Sequence, residues 1–185
     1  MTSPDLSWKN ARLFRFVRHG FDPASGEAHL VYALDDGPEL TETIRFPDAP
    51  WPQSPARQAA FAQALKLLHA IAGVSYYKTC VPSQMDTAGA PPDEAMAAFL
   101  ERLYLEGLAE FAHANQLELE GRVRFRAKAP SVPPAPSLGL PGRALVAIGG
   151  GKDSLASLEL LRSCGLEMQA VCVGSSSLIA ETVSA

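Results

Sequence analysis

Hydrophobic and polar positions divide the chain into stretches of different period. Three early runs, Arg12–His19 (RLFRFVRH), Ala28–Leu34 (AHLVYAL) and Leu40–Phe46 (LTETIRF), alternate or are rich in β-branched and aromatic residues. Their separators, FDPASGE and DDGPE, carry the Asp, Pro, Ser and Gly that turns use, so the pattern predicts a three-stranded meander. Pro47, Pro50, Pro52 and Pro55 then break the chain. From Arg57 to Ala72 the period becomes helical. Phe61, Leu65, Leu68 and Ile71 recur every three or four residues, and Gly73 stands just past the end. GVSYYKTCVP reads as a strand stopped by Pro82, and Asp93–Ala114 as a second helix with Met96, Leu100, Leu103, Leu108 and Phe111 on its apolar face. Arg122–Lys128 (RVRFRAK) alternates strictly and predicts a further strand.

Ala129–Pro141 holds prolines 130, 133, 134, 136 and 141, which preclude a regular helix and mark an extended connector. Beyond it, Ala144–Ile148 is wholly apolar, as a strand buried on both faces would be. A glycine run leads into a helical stretch to about Ser163, Gly165 can end it, and Met168–Val173 reads as a second buried strand. Strand, loop, helix and strand in that order open a parallel α/β domain. The expected fold class is therefore α/β. An α+β N-terminal domain covers 1–130, a Pro-rich linker 131–141, and the start of a parallel-sheet nucleotide-binding domain 142–185. No internal repeat is apparent.

Composition narrows the function. With 47% hydrophobic and 19% charged residues, the 185-residue chain can bury a sizeable core. Lys plus Arg number 16 against 20 Asp plus Glu, a net charge of −4, whereas proteins that grip a nucleic acid backbone are usually basic. No stretch approaches the roughly 18 apolar residues that span a bilayer, and the first residues lack the apolar core of a secretory signal. Cys80, Cys164 and Cys172 form no CxxC pair and fit free thiols. The expectation is a cytoplasmic protein with a small-molecule substrate, no nucleic acid and no membrane partner. Oligomeric state leaves no mark in the sequence.

Ile148–Ser154, IGGGKDS, is the most informative segment. Gly149, Gly150 and Gly151 lack Cβ atoms, so backbone amides can approach a polyanion, and the helix that follows adds its own free N–H groups. Lys152 can add a charge and Ser154 a hydroxyl. A Walker A loop is excluded, because Asp153 follows Lys152 and Val146 stands at the first glycine position. A dinucleotide fingerprint would need glycine where Ser154 stands. The segment resembles instead the PP-loop SGGxDS of ATP pyrophosphatases. Gly150, Gly151, Asp153 and Ser154 match it, and Gly149 replaces the first serine. Asp153 can position Mg²⁺ or the reacting phosphate, or cap the helix. Lys152 can neutralise phosphate or be a solvated loop lysine. No metal-ligand set is evident.

Over most of its length the chain resembles the N-terminal part of the MurL family of ATP-dependent UDP-N-acetylmuramoyl-L-alanyl-L-glutamate epimerases. FRFVRHGFDPASGEAHLVYALDDGPEL, LLHAIAGVSYYK, ERLYLEGLAEFA, LGLPGRALVAIGGGKDS and VGSSSLIAE carry the resemblance, in that order. It implies inversion of the terminal L-glutamate of UDP-N-acetylmuramoyl-L-alanyl-L-glutamate to D-glutamate in peptidoglycan precursor synthesis. ATP and Mg²⁺ would be used, with AMP and diphosphate released. Adenylation removes the charge of a carboxylate and acidifies its Cα–H, and a PP-loop would stabilise charge on the departing diphosphate. Asp153 and Lys152 would then act at the reacting phosphate, and Gly149, Gly150, Gly151 and Ser154 would bind ATP. A PP-loop domain needs about five parallel strands and only two follow the connector, so the chain would hold only its beginning. The alternatives are another PP-loop adenylating enzyme, in transfer-RNA thiolation or amide formation, and a truncated, non-catalytic nucleotide-binding protein.

Other residues carry weaker signals. In a strand, Tyr76 and Lys78 share one face, where they can bind substrate, while Tyr77 points to the other. Arg122, Arg124, Arg126 and Lys128 form a basic stripe suited to a diphosphate or to protecting an edge strand, and Arg12, Arg15, Arg18 and His19 invite the same reading. Histidines 19, 29, 69 and 113 have no metal spacing. His69 reads as a surface or satisfied core residue, and Cys80 as a small buried hydrophobe.

Overall fold

Phe14 and Phe16 point inward from β1 (Leu13–Asp22), which pairs antiparallel with β2 (Glu27–Leu34), itself antiparallel to β3 (Leu40–Arg45). This is the expected meander, seen here in a computed structural model that describes residues 10–46, 51–128 and 137–172. A fourth strand, β4 (Gln84–Asp86), adds parallel to β1 and makes the order β3-β2-β1-β4. Three residues are too few to leave a periodic signature. Between Phe16 and Arg18 the register shifts: Phe16 lies opposite Tyr32, Arg18 opposite Val31, and His19 opposite Leu30. This β-bulge at Val17 reverses which residues face inward. His19 joins Phe14, Phe16, Leu30 and Tyr32 on the core face, and Arg18 goes to the other. The expected stripe of Arg12, Arg15, Arg18 and His19 is thereby split.

α1 (Pro55–Ala72) starts where Ser54 Oγ accepts the Arg57 N–H at 3.3 Å, with Pro55 at its first position. It lies against the sheet, and its last carbonyls are capped by core tyrosines. Tyr32 Oη donates to the His69 carbonyl at 2.9 Å, and Tyr104 Oη to that of Ala70 at 2.7 Å. Gly73 is required by space: a Cβ there would stand 2.6 Å from Phe16 Cε1 and 2.9 Å from Tyr104 Oη. The strand expected in GVSYYKTCVP is a helical turn, α2 (Val74–Tyr77), whose amides of Tyr76 and Tyr77 return to the Gly73 carbonyl. Packing overrides β propensity here, because the turn buries Tyr77 against Phe14 and Tyr104 and lets its hydroxyl donate to Pro82.

The second expected helix is two. α3 (Glu94–Gly107), capped by Asp93 on the Met96 N–H at 2.8 Å, gives way at Leu108 to α4 (Ala109–Asn115). Gly107 weakens the helix there, and the bend turns both Leu108 and Ala112 into the core. Arg122–Lys128 is not a strand. Val123 and Phe125 are buried and the three arginines exposed, as the alternation required, but the amides find other partners. The Phe125 N–H donates to Glu101 Oε1 and that of Lys128 to the Pro92 carbonyl. With two of its amides taken by α3 and a loop, the segment forms no ladder and has no edge for its charges to protect.

The chain separates into two units, Met1–Pro136 and Ser137–Ala185. In the second, β5 (Ala144–Ala147) pairs parallel with β6 (Met168–Val171), joined through α5 (Lys152–Ser163), which ends before Gly165 at φ +66°. The expectation that both strands are buried on both faces is corrected. Val146 and Ile148 are buried, but Leu145 is 68% exposed and Val171 38%. Two parallel strands and one helix cover only one face. Residues 131–136 of the expected connector, and VGSSSLIAE with the end of the second expected strand, lie outside the described residues. No helix among the described residues is long and apolar enough to cross a membrane.

Candidate functional site

The glycine loop lies where the sequence puts it, between β5 and the N-terminus of α5. Gly150 has φ +80°, a left-handed conformation that favours glycine. Gly151 is the N-cap of α5 and offers no side chain to the helix amides. The Gly149 N–H donates to Ser154 Oγ at 3.0 Å and ties the loop to the first turn of the helix. Since the Ser154 oxygen accepts that bond, its own proton remains available to donate. The amides of Ser154 and Leu155 return to the Gly151 carbonyl at 3.1 and 3.4 Å. Those of Gly150, Gly151, Lys152 and Asp153 make no hydrogen bond among the described residues. Four donors at the positive end of a twelve-residue helix form an anion-binding arrangement.

Space around the loop agrees with this. A Cβ at Gly149 or Gly151 would meet no atom within 4 Å, so nothing of the described chain occupies the approach to these amides. Lys152 Nζ and Asp153 Oδ1 stand 3.5 Å apart, with side chains 93% and 92% exposed. Asp153 sits inside the first turn of α5, where its charge favours the helix dipole, and makes no capping hydrogen bond. The loop therefore brings together Gly149, Gly150, Gly151, Lys152, Asp153 and Ser154. No group of three or more potential ligands for a metal occurs among the described residues. One carboxylate suits Mg²⁺, which keeps several waters and is held largely by phosphate oxygens.

Tyr76 and Lys78 are not brought together. In the α2 turn, residues two apart do not share a face. The Tyr76 hydroxyl donates to Glu42 Oε2 at 2.7 Å, and its ring stacks on Tyr32 with centroids 4.7 Å apart. Desolvation and then the Glu42 carboxylate push its pKa up to about 12. Lys78 is exposed at the C-cap of the turn.

The first unit holds a cavity of about 420 Å³ that sequence reasoning missed. β1 contributes Phe16 and His19, α1 contributes Lys66 and His69, and the wall is completed by Asp93 with its preceding loop, by α3, and by Phe125 and Lys128. His69, 4% exposed, is a core histidine, as the sequence allowed, with Nε2 3.1 Å from the Val31 carbonyl. Burial lowers its pKa to about 4. Its ring centroid lies 5.1 Å from that of His19, whose pKa is also lowered, by burial and then by Lys66. Fifty positions separate the two histidines, and only the bulge at Val17 turns His19 toward this space. No periodicity or motif could have announced it. Cys80 is half-buried and its thiol pKa is raised by burial, which fits the bland reading of that residue.

Comparison with known proteins covers nearly the whole chain. A family model described as the MurL N-terminal domain matches residues 6–185. A UDP-N-acetyl-alpha-D-muramoyl-L-alanyl-L-glutamate epimerase of Xanthomonas oryzae pv. oryzae is 49% identical over 166 residues, covering 90% of this chain and 37% of the relative. Proteins of the same name from a Micromonospora species and from Salinispora tropica are 41% and 39% identical over 168 residues, covering 89% of this chain. The chain thus spans 36–37% of the length of the curated relatives it matches. No solved structure matches it. Matched over residues 6–185, the chain belongs to the MurL family, in which it corresponds to the N-terminal domain.

Proposed function

We propose that this chain is the N-terminal part of an enzyme that inverts the terminal L-glutamate of UDP-N-acetylmuramoyl-L-alanyl-L-glutamate with consumption of ATP, and that loop 148–154 binds the diphosphate portion of the nucleotide. The observation that carries the reading is the set of four amides at the start of α5 that are unengaged among the described residues, in a chain 49% identical to a protein of that name. ATP, as co-substrate, supplies the group that neutralises a carboxylate and so acidifies the adjacent Cα–H. The residues here act on the departing charge. Gly150, Gly151, Lys152 and Asp153 present N–H groups, the Ser154 hydroxyl adds a donor, and the Lys152 ammonium offsets charge without being fixed by burial. Asp153 is the one carboxylate of the loop and would hold Mg²⁺ from one side. The setting is the cytoplasm, where the UDP-linked precursor is made.

The test is AMP formation from Mg-ATP and UDP-N-acetylmuramoyl-L-alanyl-L-glutamate, with chiral analysis of the glutamate freed by acid hydrolysis of the product. The chain is assayed alone and joined to the remaining part of the Xanthomonas relative. The expected result is AMP and D-glutamate in at least the joined protein, with Asp153→Ala lowering the rate about 100-fold or more. AMP without inversion would assign the loop to another adenylating reaction. No AMP in either protein would reject the reading.

A further inference from the structure

The cavity of the first unit has a donor and charge pattern of its own. The Val31 carbonyl can only accept, so His69 Nε2 carries the proton and Nδ1 of the neutral ring is a bare acceptor. Nδ1 has no partner among the described residues, yet no buried side-chain nitrogen or oxygen among them lacks one. Nδ1 therefore reaches solvent, and the space that His69 lines is this cavity. An acceptor held in place by a nearly buried ring calls for an N–H or O–H on the ligand.

The charges are equally specific. Lys66 and Lys128 line the cavity from separate elements, and neither forms an ion pair among the described residues. Arg18 is neutralised by Glu39, and the Asp93 carboxylate is engaged by the Met96 N–H. Among the described residues two ammonium groups are thus without an ion partner, against the single carboxylate of Asp93, and the lining is left net positive. Phe16, Met96 and Phe125 supply apolar wall. A ligand matching all of this has two negative charges, one N–H beside them and a short hydrocarbon stem. An amide-linked acidic amino acid has each of these. A free amino acid would bring an ammonium between two lysines, and inorganic phosphate has no apolar stem.

We propose that this cavity binds the acidic C-terminal residue of a short peptide, with its two carboxylates on Lys66 and Lys128 and its amide N–H on His69 Nδ1. This deepens the epimerase reading and rests on it only for the identity of that residue, the terminal glutamate of the muramoyl dipeptide. Recognition of the peptide would then belong to the first unit and handling of the nucleotide to the second.

The imidazole NMR signals of His19 and His69 in the 185-residue chain, titrated without ATP, test this directly. L-Ala-L-Glu and N-acetyl-L-glutamate are expected to shift both signals saturably, and L-glutamate to bind at least about tenfold more weakly. Lys66→Gln and Lys128→Gln should each weaken the dipeptide about tenfold or more, with Lys66→Arg recovering part of the loss and the His29 and His113 signals reporting an intact fold. The proposal is overturned by any of three results: no shift, equal affinity for L-glutamate, or UDP or phosphate moving the same signals more readily than the dipeptide. If the joined protein forms AMP and D-glutamate while the dipeptide leaves His69 unmoved, the cavity assignment fails and the activity stands. If the dipeptide binds but no AMP forms, the cavity assignment stands and the epimerase reading fails.

Discussion

The two units meet the same hydrophobic composition with opposite results. In the first, Phe14, Leu30, Tyr32, Tyr77 and Tyr104 are fully buried, with each tyrosine hydroxyl paired to a backbone carbonyl. In the second, Leu145 is 68% exposed and Leu160 66%, and no residue of α5 is buried. The difference lies in architecture rather than residue type. An antiparallel meander needs only one covered face, which α1 and α3 supply, whereas a parallel pair is stable when covered on both. The first unit therefore carries its own core, and the second carries a well-formed loop on a scaffold with unfilled sides.

The sharpest way to break this comparison is to truncate one large side chain in each unit. Tyr104→Ala removes a fully buried ring and leaves the Ala70 carbonyl unpaired. It should cost about 3–5 kcal/mol in urea denaturation, while Leu145→Ala should stay within about 0.5 kcal/mol. Similar losses at the two sites would mean that Leu145 is covered after all.

A smaller effect comes from His69. Burial lowers its folded pKa to about 4, below the roughly 6.5 of an unfolded chain. As pH falls, the unfolded state takes up the proton first. Stability is therefore full above about pH 6.5 and declines toward pH 4, by a total on the order of 2–3 kcal/mol. His19 is shifted in the same direction and adds to the slope. Denaturation between pH 7 and about 5.5, where ordinary carboxylates remain largely charged, should show the start of the decline, and His69→Gln should flatten it.

The least costly change for the fold tests the loop. Gly150→Ala puts a side chain at φ +80° and should destabilise the loop by about 1–2 kcal/mol. Gly149→Ala, with open space and no left-handed backbone, should be tolerated. Thermal unfolding should fall by a few degrees for Gly150→Ala and stay unchanged for Gly149→Ala. AMP formation in the joined protein should fall for Gly150→Ala alone.

Legibility in the sequence followed the range of the forces involved. The meander, α1 and the β5–loop–α5–β6 run are local, and alternation, a helical period with Ser54 and Gly73 at its ends, and glycine punctuation revealed them. The loop residues were legible for the same reason, since Gly149–Ser154 are contiguous and their chemistry depends on backbone amides. Misreadings arose where a neighbour distant in the chain decided. GVSYYKTCVP has strand composition, yet Tyr77 is worth more packed on Phe14 and Tyr104. RVRFRAK alternates as a strand, yet Glu101 and Pro92 take its amides.

The sequence by itself determined the family, the meander, α1 and the glycine loop before α5, because each resides in a contiguous pattern. Tertiary structure alone decided the cavity. Its two histidines lie fifty positions apart, and its two lysines sit on elements that meet only after folding. His19, though exposed, lies on the His69 side of the sheet because one extra residue at Val17 shifts the register against β2, and such a shift is fixed by cross-strand pairing rather than by the residues that carry it.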